Sequence, residues 1–178
     1  MPDRWKPNVT VAAVIERDKR FLLVEEHTGS GLRLNNPAGH LDPGESLVQA
    51  CSRETLEETA FDFRPTGLIG IYLSPPAARA PAPANALLPV DVATAGIAGT
   101  GTTYLRFAFC GELGQWHEKR ALDQGIVRTL WLGIDEIRAS WQRHRSGLLL
   151  QCVEDYLAGA RYPLALLATE GVAGIARG

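Results

Sequence analysis

The sequence predicts a single α/β domain, on three observations. Its 178 residues are little more than the roughly 150 typical of one domain. Short β-branched and apolar runs occur in both halves of the chain, and two segments carry apolar residues at helical spacing, one of them opened by a capping signature. The composition, 46% hydrophobic and 21% charged with a formal charge of −2, is that of a soluble globular chain. It excludes long disorder, a collagen and a polycation built to hold a nucleic-acid polymer. Cys51, Cys110 and Cys152 are odd in number, far apart and without metal-ligand spacing, so reduced thiols are expected. The first residues carry no apolar targeting core and no window approaches a membrane span. The expected setting is cytoplasmic, with no membrane partner.

Taken in order, residues 9–16 and 21–26 are β-branched and apolar runs separated by Arg17-Asp18-Lys19-Arg20, which predicts a hairpin. A short strand is expected within 32–39, where Asn35-Asn36-Pro37 ends it and Pro43-Gly44 closes the following loop. Ser46 and Gln49 have the form of a capping box, in which the hydroxyl and the amide satisfy free N–H groups at a helix start. A helix should therefore begin at Ser46 and run to about Thr59. Val48, Cys51, Ser52, Thr55 and Thr59 share one side of it, a small-residue face able to approach a sheet closely. Strands are expected at 67–73 and 103–110.

Between those strands, residues 74–102 are rich in Ala, Pro, Gly and Thr and read as a surface insertion within the domain, being long for a plain connector. Another strand is expected at 126–132. Asp135 and Glu136 then sit where a helix N-terminus favours carboxylates, and 137–141 continues that helix. Leu148, Leu149, Cys152, Val153 and Tyr156 mark a last helix, with Gly159 just beyond as its stop. The tail past Leu167 should fray.

Within the predicted helix after Ser46, Glu54, Glu57 and Glu58 fall within an arc of about 100°. Carboxylates so placed repel one another by a few tenths of a kcal/mol per pair, so a cation beside them is favoured. Alone, such a face is usually solvent decoration. The context changes that: Gly39 is followed after five residues by Glu45, then after seven more by Arg53-Glu54, and then by Glu57-Glu58. At ordinary residue frequencies these fixed positions coincide by chance about once in 10⁵ sequences of this length. The stretch GHLDPGESLVQACSRETLEETAF resembles the Nudix box. Two positions depart from that pattern. Thr55 stands where an aliphatic residue is usual, which bears on how the helix seats, and Ala60 replaces a glycine, which puts a left-handed helix cap in doubt.

The likeness extends to VTVAAVIERDKRFLLVEE, NNPAGH, TTYLRFAF, RTLWLGIDEI and GARYPL, which together look like the NudJ-type branch of small Nudix hydrolases. The resemblance implies a mixed, curved sheet between helices, with the acidic helix beside the substrate cleft. It also implies hydrolysis of nucleoside tri- and diphosphates or thiamine-related pyrophosphates with Mg²⁺, or with Mn²⁺ in its place. A hydrolase of oxidised nucleotides or of dinucleoside polyphosphates, and a non-catalytic nucleotide sensor on the same fold, are the alternatives.

A pyrophosphate carries several negative charges, so water attacking phosphorus is repelled until cations neutralise its oxygens. Mg²⁺ takes oxygen ligands in octahedral array and keeps several waters, so two or three protein carboxylates suffice. Glu54 and Glu58, one turn apart, are the expected ligands, and Glu57 is a third ligand or the general base. Gly39 lets its carbonyl approach the metal. Arg53 and Glu45 are expected to orient the acidic face. Outside the box, Asp123 lies in a loop able to reach the metals. Arg106 either meets substrate phosphate or leans outward with its stem packed. His40 stands beside Gly39; these three are the substrate-facing candidates. Arg138, Arg143, His144 and Arg145 read as a solvated basic face. Gly99-Thr100-Gly101 lacks the Gly-Lys-Ser/Thr of a phosphate loop, and no Ser or Cys occupies a nucleophile turn. The expected partner is a small pyrophosphate.

Overall fold

The computed structural model describes residues 5–75 and 101–170; nearly all of the 74–102 insertion and the end of the tail lie outside them. Among the described residues there are two four-stranded sheets. The first has β1 (Asn8–Val14) between β5 (Ala38–His40) and β7 (Tyr104–Trp116), with β6 (Phe61–Ser74) outside β7. β1 and β7 run parallel, and the other pairs in this sheet are antiparallel. In the second, β3 (Arg20–Thr28) pairs antiparallel with β2 (Glu16–Arg17), β4 (Gly31–Asn35) and β8 (Ile126–Gly133). The helices are α1 (Leu47–Thr59), α2 (Ile134–Ala139) and α3 (Leu148–Leu157).

β1 is buried on both faces. Val11, Ala13 and Ile15 pack with Ala50 and Cys51 of α1, while Ala12 and Val14 pack with Leu149, Cys152 and Val153 of α3. The sheets thus lie between helices, as the resemblance implies, and a strand covered twice shows a continuous apolar run rather than alternation. All three cysteines are buried free thiols.

The run expected as one strand over 9–16 divides. β1 ends at Val14, and residues 16–17 belong to the other sheet, so the hairpin joins β2 to β3 rather than β1 to β3. Asp18 and Lys19 close it at φ of 52° and 61°, the doubly left-handed turn whose twist suits antiparallel strands. β6 and β7 run well beyond 67–73 and 103–110. Pro65 hides the extension of β6 in the sequence, yet β6 lies at a sheet edge and shifts register beside Pro65, where a missing N–H is tolerated. The helix at 135 is shorter than expected. It ends at Ala139, and a 3₁₀ turn, Trp141–Arg143, follows. α3 ends as predicted, with Gly159 at φ 90°.

α1 begins as its sequence demands. Ser46 Oγ accepts the Gln49 N–H at 3.2 Å, and Gln49 Oε1 accepts the Ser46 N–H at 2.8 Å. Fully buried Thr55 donates to the Cys51 carbonyl at 2.8 Å, so its hydroxyl is satisfied by its own helix. Ala60 adopts φ 59° and ψ 18°, with its N–H on the Leu56 carbonyl. The left-handed cap therefore forms without glycine, at a cost of about 1–2 kcal/mol. Among the described residues no helix is long and apolar enough to cross a membrane.

Candidate active site

Beside β5 and α1 lies a cavity of about 650 Å³. Its wall has an acidic part, with Glu26, Glu54, Glu58 and Asp123, and a basic part, with Arg106 and Arg145. Glu58 is 8% exposed. Burial pushes its pKa up to about 8; Glu26, Glu54 and Asp123 add to that, and the Ala38 N–H on Oε2 at 2.8 Å opposes it. Burial likewise raises Glu54, against the pull of Arg53. Glu54 and Glu58 are thus charged only at an energetic cost, which a neighbouring cation offsets.

Gly39, also in the wall, presses its backbone against Glu54. A Cβ built at position 39 would lie 2.0 Å from Glu54 Cδ. Gly39→Ala should therefore displace the carboxylate while leaving the fold intact, because the colliding atoms end a flexible side chain. The expected result is a melting temperature close to wild type with kcat/KM lowered about 10²-fold, the usual penalty for a misplacement near 1 Å. Wild-type turnover in this variant would remove Glu54 from the chemistry.

Arg53 organises what lies behind the acidic wall. Its Nε and Nη2 donate to Glu45 at 3.0 and 2.7 Å, and its Nη1 donates to Glu54 at 2.9 Å and to Glu57 at 3.0 Å. Nη2 also reaches the His40 carbonyl at 2.9 Å. Glu45 in turn accepts the Asp42 N–H at 2.8 Å, and Arg53 holds its pKa below the usual value. One guanidinium thus ties the loop after β5 to the helix. Glu57 belongs to this network, and its side chain is not in the cavity wall. Its carbonyl accepts the Asp123 N–H at 2.9 Å, which brings the Asp123 loop to the end of α1 and its carboxylate toward Glu54 and Glu58.

Of the sequence-predicted site residues, Gly39, His40, Glu54, Glu58, Arg106 and Asp123 share the cavity, while Glu45, Arg53 and Glu57 form the ion network beside it. Exposed His40 has its ring 6.2 Å from that of Tyr104. Arg106 does not lean outward. It is 9% exposed and forms part of the wall.

The basic face is solvated at Arg138, Arg143 and Arg145, as expected, and not at His144. Arg143 pairs with Glu25 and Arg145 with Glu26, and His144 is buried with Nε2 3.0 Å from the Ile137 carbonyl. Arg138 pairs at the surface with Glu154 and Asp135. Glu26, Thr10, Asn35 and Arg145 line the cavity unforeseen. Glu26 had a signal: two acids, Glu25-Glu26, end an apolar run that is buried, and buried carboxylates need partners.

The profile of the NUDIX domain family matches residues 6–149. Phosphatase NudJ of Escherichia coli strain K12 is 32% identical over 163 residues, 92% of this chain and 92% of its own length. A solved NUDIX hydrolase from Nitrosomonas europaea is 51% identical, with a TM-score of 0.78 over 92% of this chain and 97% of that one. A bifunctional NMN adenylyltransferase/ADP ribose pyrophosphatase from Francisella tularensis, complexed with AMP and a Mn ion, shares the fold. It is 16% identical, with a TM-score of 0.55 over 89% of this chain and 43% of that one.

Proposed function

From the premise that this chain belongs to the NUDIX family of hydrolases, acting on pyrophosphate bonds, we propose that it cleaves nucleoside tri- and diphosphates or thiamine-related pyrophosphates with Mg²⁺ held by Glu54 and Glu58. The observation that carries this reading is the convergence of Glu54, Glu58 and Asp123 on one cavity wall, against the one residue, Gly39, that leaves Glu54 room. Likeness to phosphatase NudJ over 92% of the chain supports release of phosphate from a small substrate.

The donors suit the cation. Glu58 keeps one oxygen on the Ala38 N–H and presents the other without a protein partner among the described residues. No three Asp, Glu, His or Cys side chains among the described residues close into a cage, and Mg²⁺, which retains waters and takes substrate oxygens, requires none. Mn²⁺ fits the same oxygen donors. Bound there, the cation neutralises phosphate oxygens and lowers the barrier to attack by water. Asp123 extends the acidic wall from its loop, which supports a role beside the cation more than at the substrate. Glu57 is a third ligand, or the base that takes the proton of the attacking water, reached when Arg53 shares its hydrogen bonds differently between Glu54 and Glu57. Arg53 and Glu45 hold the loop and helix in register. His40 and Tyr104 flank the substrate where it meets solvent, and Arg106 faces it from the wall.

The test is kcat/KM across nucleoside tri- and diphosphates, thiamine pyrophosphate, oxidised nucleotides and dinucleoside polyphosphates, with Mg²⁺ and with Mn²⁺. Highest values for the first three support the proposal. Highest values for either of the last two move the substrate class. Binding without release of phosphate or pyrophosphate from any compound makes the protein a sensor.

A further inference from the structure

Arg106 lies on β7 opposite Thr10 of β1, and Thr10 lies opposite His40 of β5, so the three form a row across the first sheet. Arg106 is 9% exposed and Thr10 6%. Nε and Nη1 of Arg106 and Oγ1 of Thr10 are buried without a hydrogen-bond partner among the described residues, and both residues line the cavity. Among the described residues no carboxylate pairs with Arg106, whereas Arg143 and Arg145 each have one. A guanidinium stays charged at any ordinary pH. Kept out of water without a counter-charge, it is one of the costliest groups a fold can retain. Burial above all, and Arg145, weigh against its charge; Cys152, by charge and by a side-chain contact, and Glu26, by charge alone, oppose them.

We infer that Arg106, with Thr10 and Arg145, forms a phosphate subsite for a phosphate beyond the two joined by the scissile bond, so that triphosphates are preferred to diphosphates. This rests on the proposed pyrophosphate chemistry. The acidic wall with its cations holds the anhydride, and its own carboxylates repel any phosphate left without a cation. A guanidinium is planar, always charged and rich in N–H donors that match phosphate oxygens. A neutral ring edge would satisfy the same donors but leave the charge uncompensated.

The test pairs binding with stability. In chelator, where the acidic wall holds no cation, calorimetry should detect orthophosphate and tripolyphosphate binding to wild type. Arg106→Met should weaken that binding roughly 10- to 100-fold, the worth of a charge-assisted hydrogen bond or two. The same variant should melt at least about 2 °C higher, because an uncompensated buried charge is gone. Arg106→Lys, which keeps the charge and loses the fork, should bind with intermediate affinity and show no such rise. With Mg²⁺, the ratio of kcat/KM for adenosine triphosphate over diphosphate should fall toward one in Arg106→Met. Unchanged phosphate binding in Arg106→Met, a lowered melting temperature, or an unchanged ratio overturns the inference. A wild type that hydrolyses neither nucleotide but binds phosphate through Arg106 would sink the pyrophosphohydrolase reading and leave the subsite standing.

Discussion

Glu58→Gln lowers kcat/KM by about 10³-fold or more, the scale on which a positioned electrostatic group at a reacting phosphate counts, and leaves the fold intact. The amide oxygen of Gln still accepts the Ala38 N–H that Glu58 holds at 2.8 Å, so no backbone donor is orphaned. What disappears is a charge in a site shared with Glu26, Glu54 and Asp123. With no cation present the buried carboxyl must take up a proton to avoid its neighbours, at a cost in stability near neutral pH, and with a cation it ionises against it. The variant should therefore melt at least as high as wild type in chelator. Wild type should gain thermal stability on addition of Mg²⁺, as any protein does with a ligand that binds only the native state, and the variant should gain much less. Near-wild-type turnover, or an undiminished gain with Mg²⁺, would move the cation away from Glu58. A loss of activity accompanied by a low melting temperature in chelator would instead mark Glu58 as structural.

What could be read from the sequence follows from whether a signal is local. The capping box of Ser46 and Gln49, the acidic arc of α1 and the stop at Gly159 depend on residues three to five apart, and each stands where it was expected. The division of the 9–16 run depends on which sheet each half joins, and a strand buried on both faces has no alternation to reveal it. Arg106 was left between two readings for a related reason. On an exposed strand an arginine leans outward, and only the cover given by α3 to its face, through Cys152 and Val153, puts it in a wall. Arg145 and Glu26 are paired across 119 positions, a distance no sequence pattern spans. The Glu25-Glu26 pair was legible in principle, since two acids ending a buried run demand cations from elsewhere in the chain. The basic cluster at 143–145 is that source: Arg143 and Arg145 stay half in solvent, as expected, and still reach Glu25 and Glu26.

Arg53→Lys is the second large effect, with kcat/KM falling about 10²-fold or more for a displaced constellation, because the function of Arg53 lies in its shape as much as in its charge. One guanidinium reaches Glu45, Glu54, Glu57 and the His40 carbonyl at 2.7–3.0 Å. A lysine ammonium is a point with three donors and cannot span the two carboxylates of the helix and the loop acid at once. The like charges of Glu54 and Glu57 then drift apart, and the loop that carries Gly39 and His40 loses its tie to α1. Stability should drop by about 1–3 kcal/mol, as when hydrogen bonds to charged groups are lost, and the loss of activity should appear in kcat more than in KM, since Arg53 is not in the cavity wall. Glu45→Gln removes one partner and keeps the rest, so its loss should be smaller and in the same direction. Full activity in Arg53→Lys would mean that charge alone holds the acidic helix, and an effect confined to KM would bring Arg53 to the substrate. A kcat-dominated loss that neither lysine nor a higher Mg²⁺ concentration restores is the result that a rigid, five-bonded fork requires.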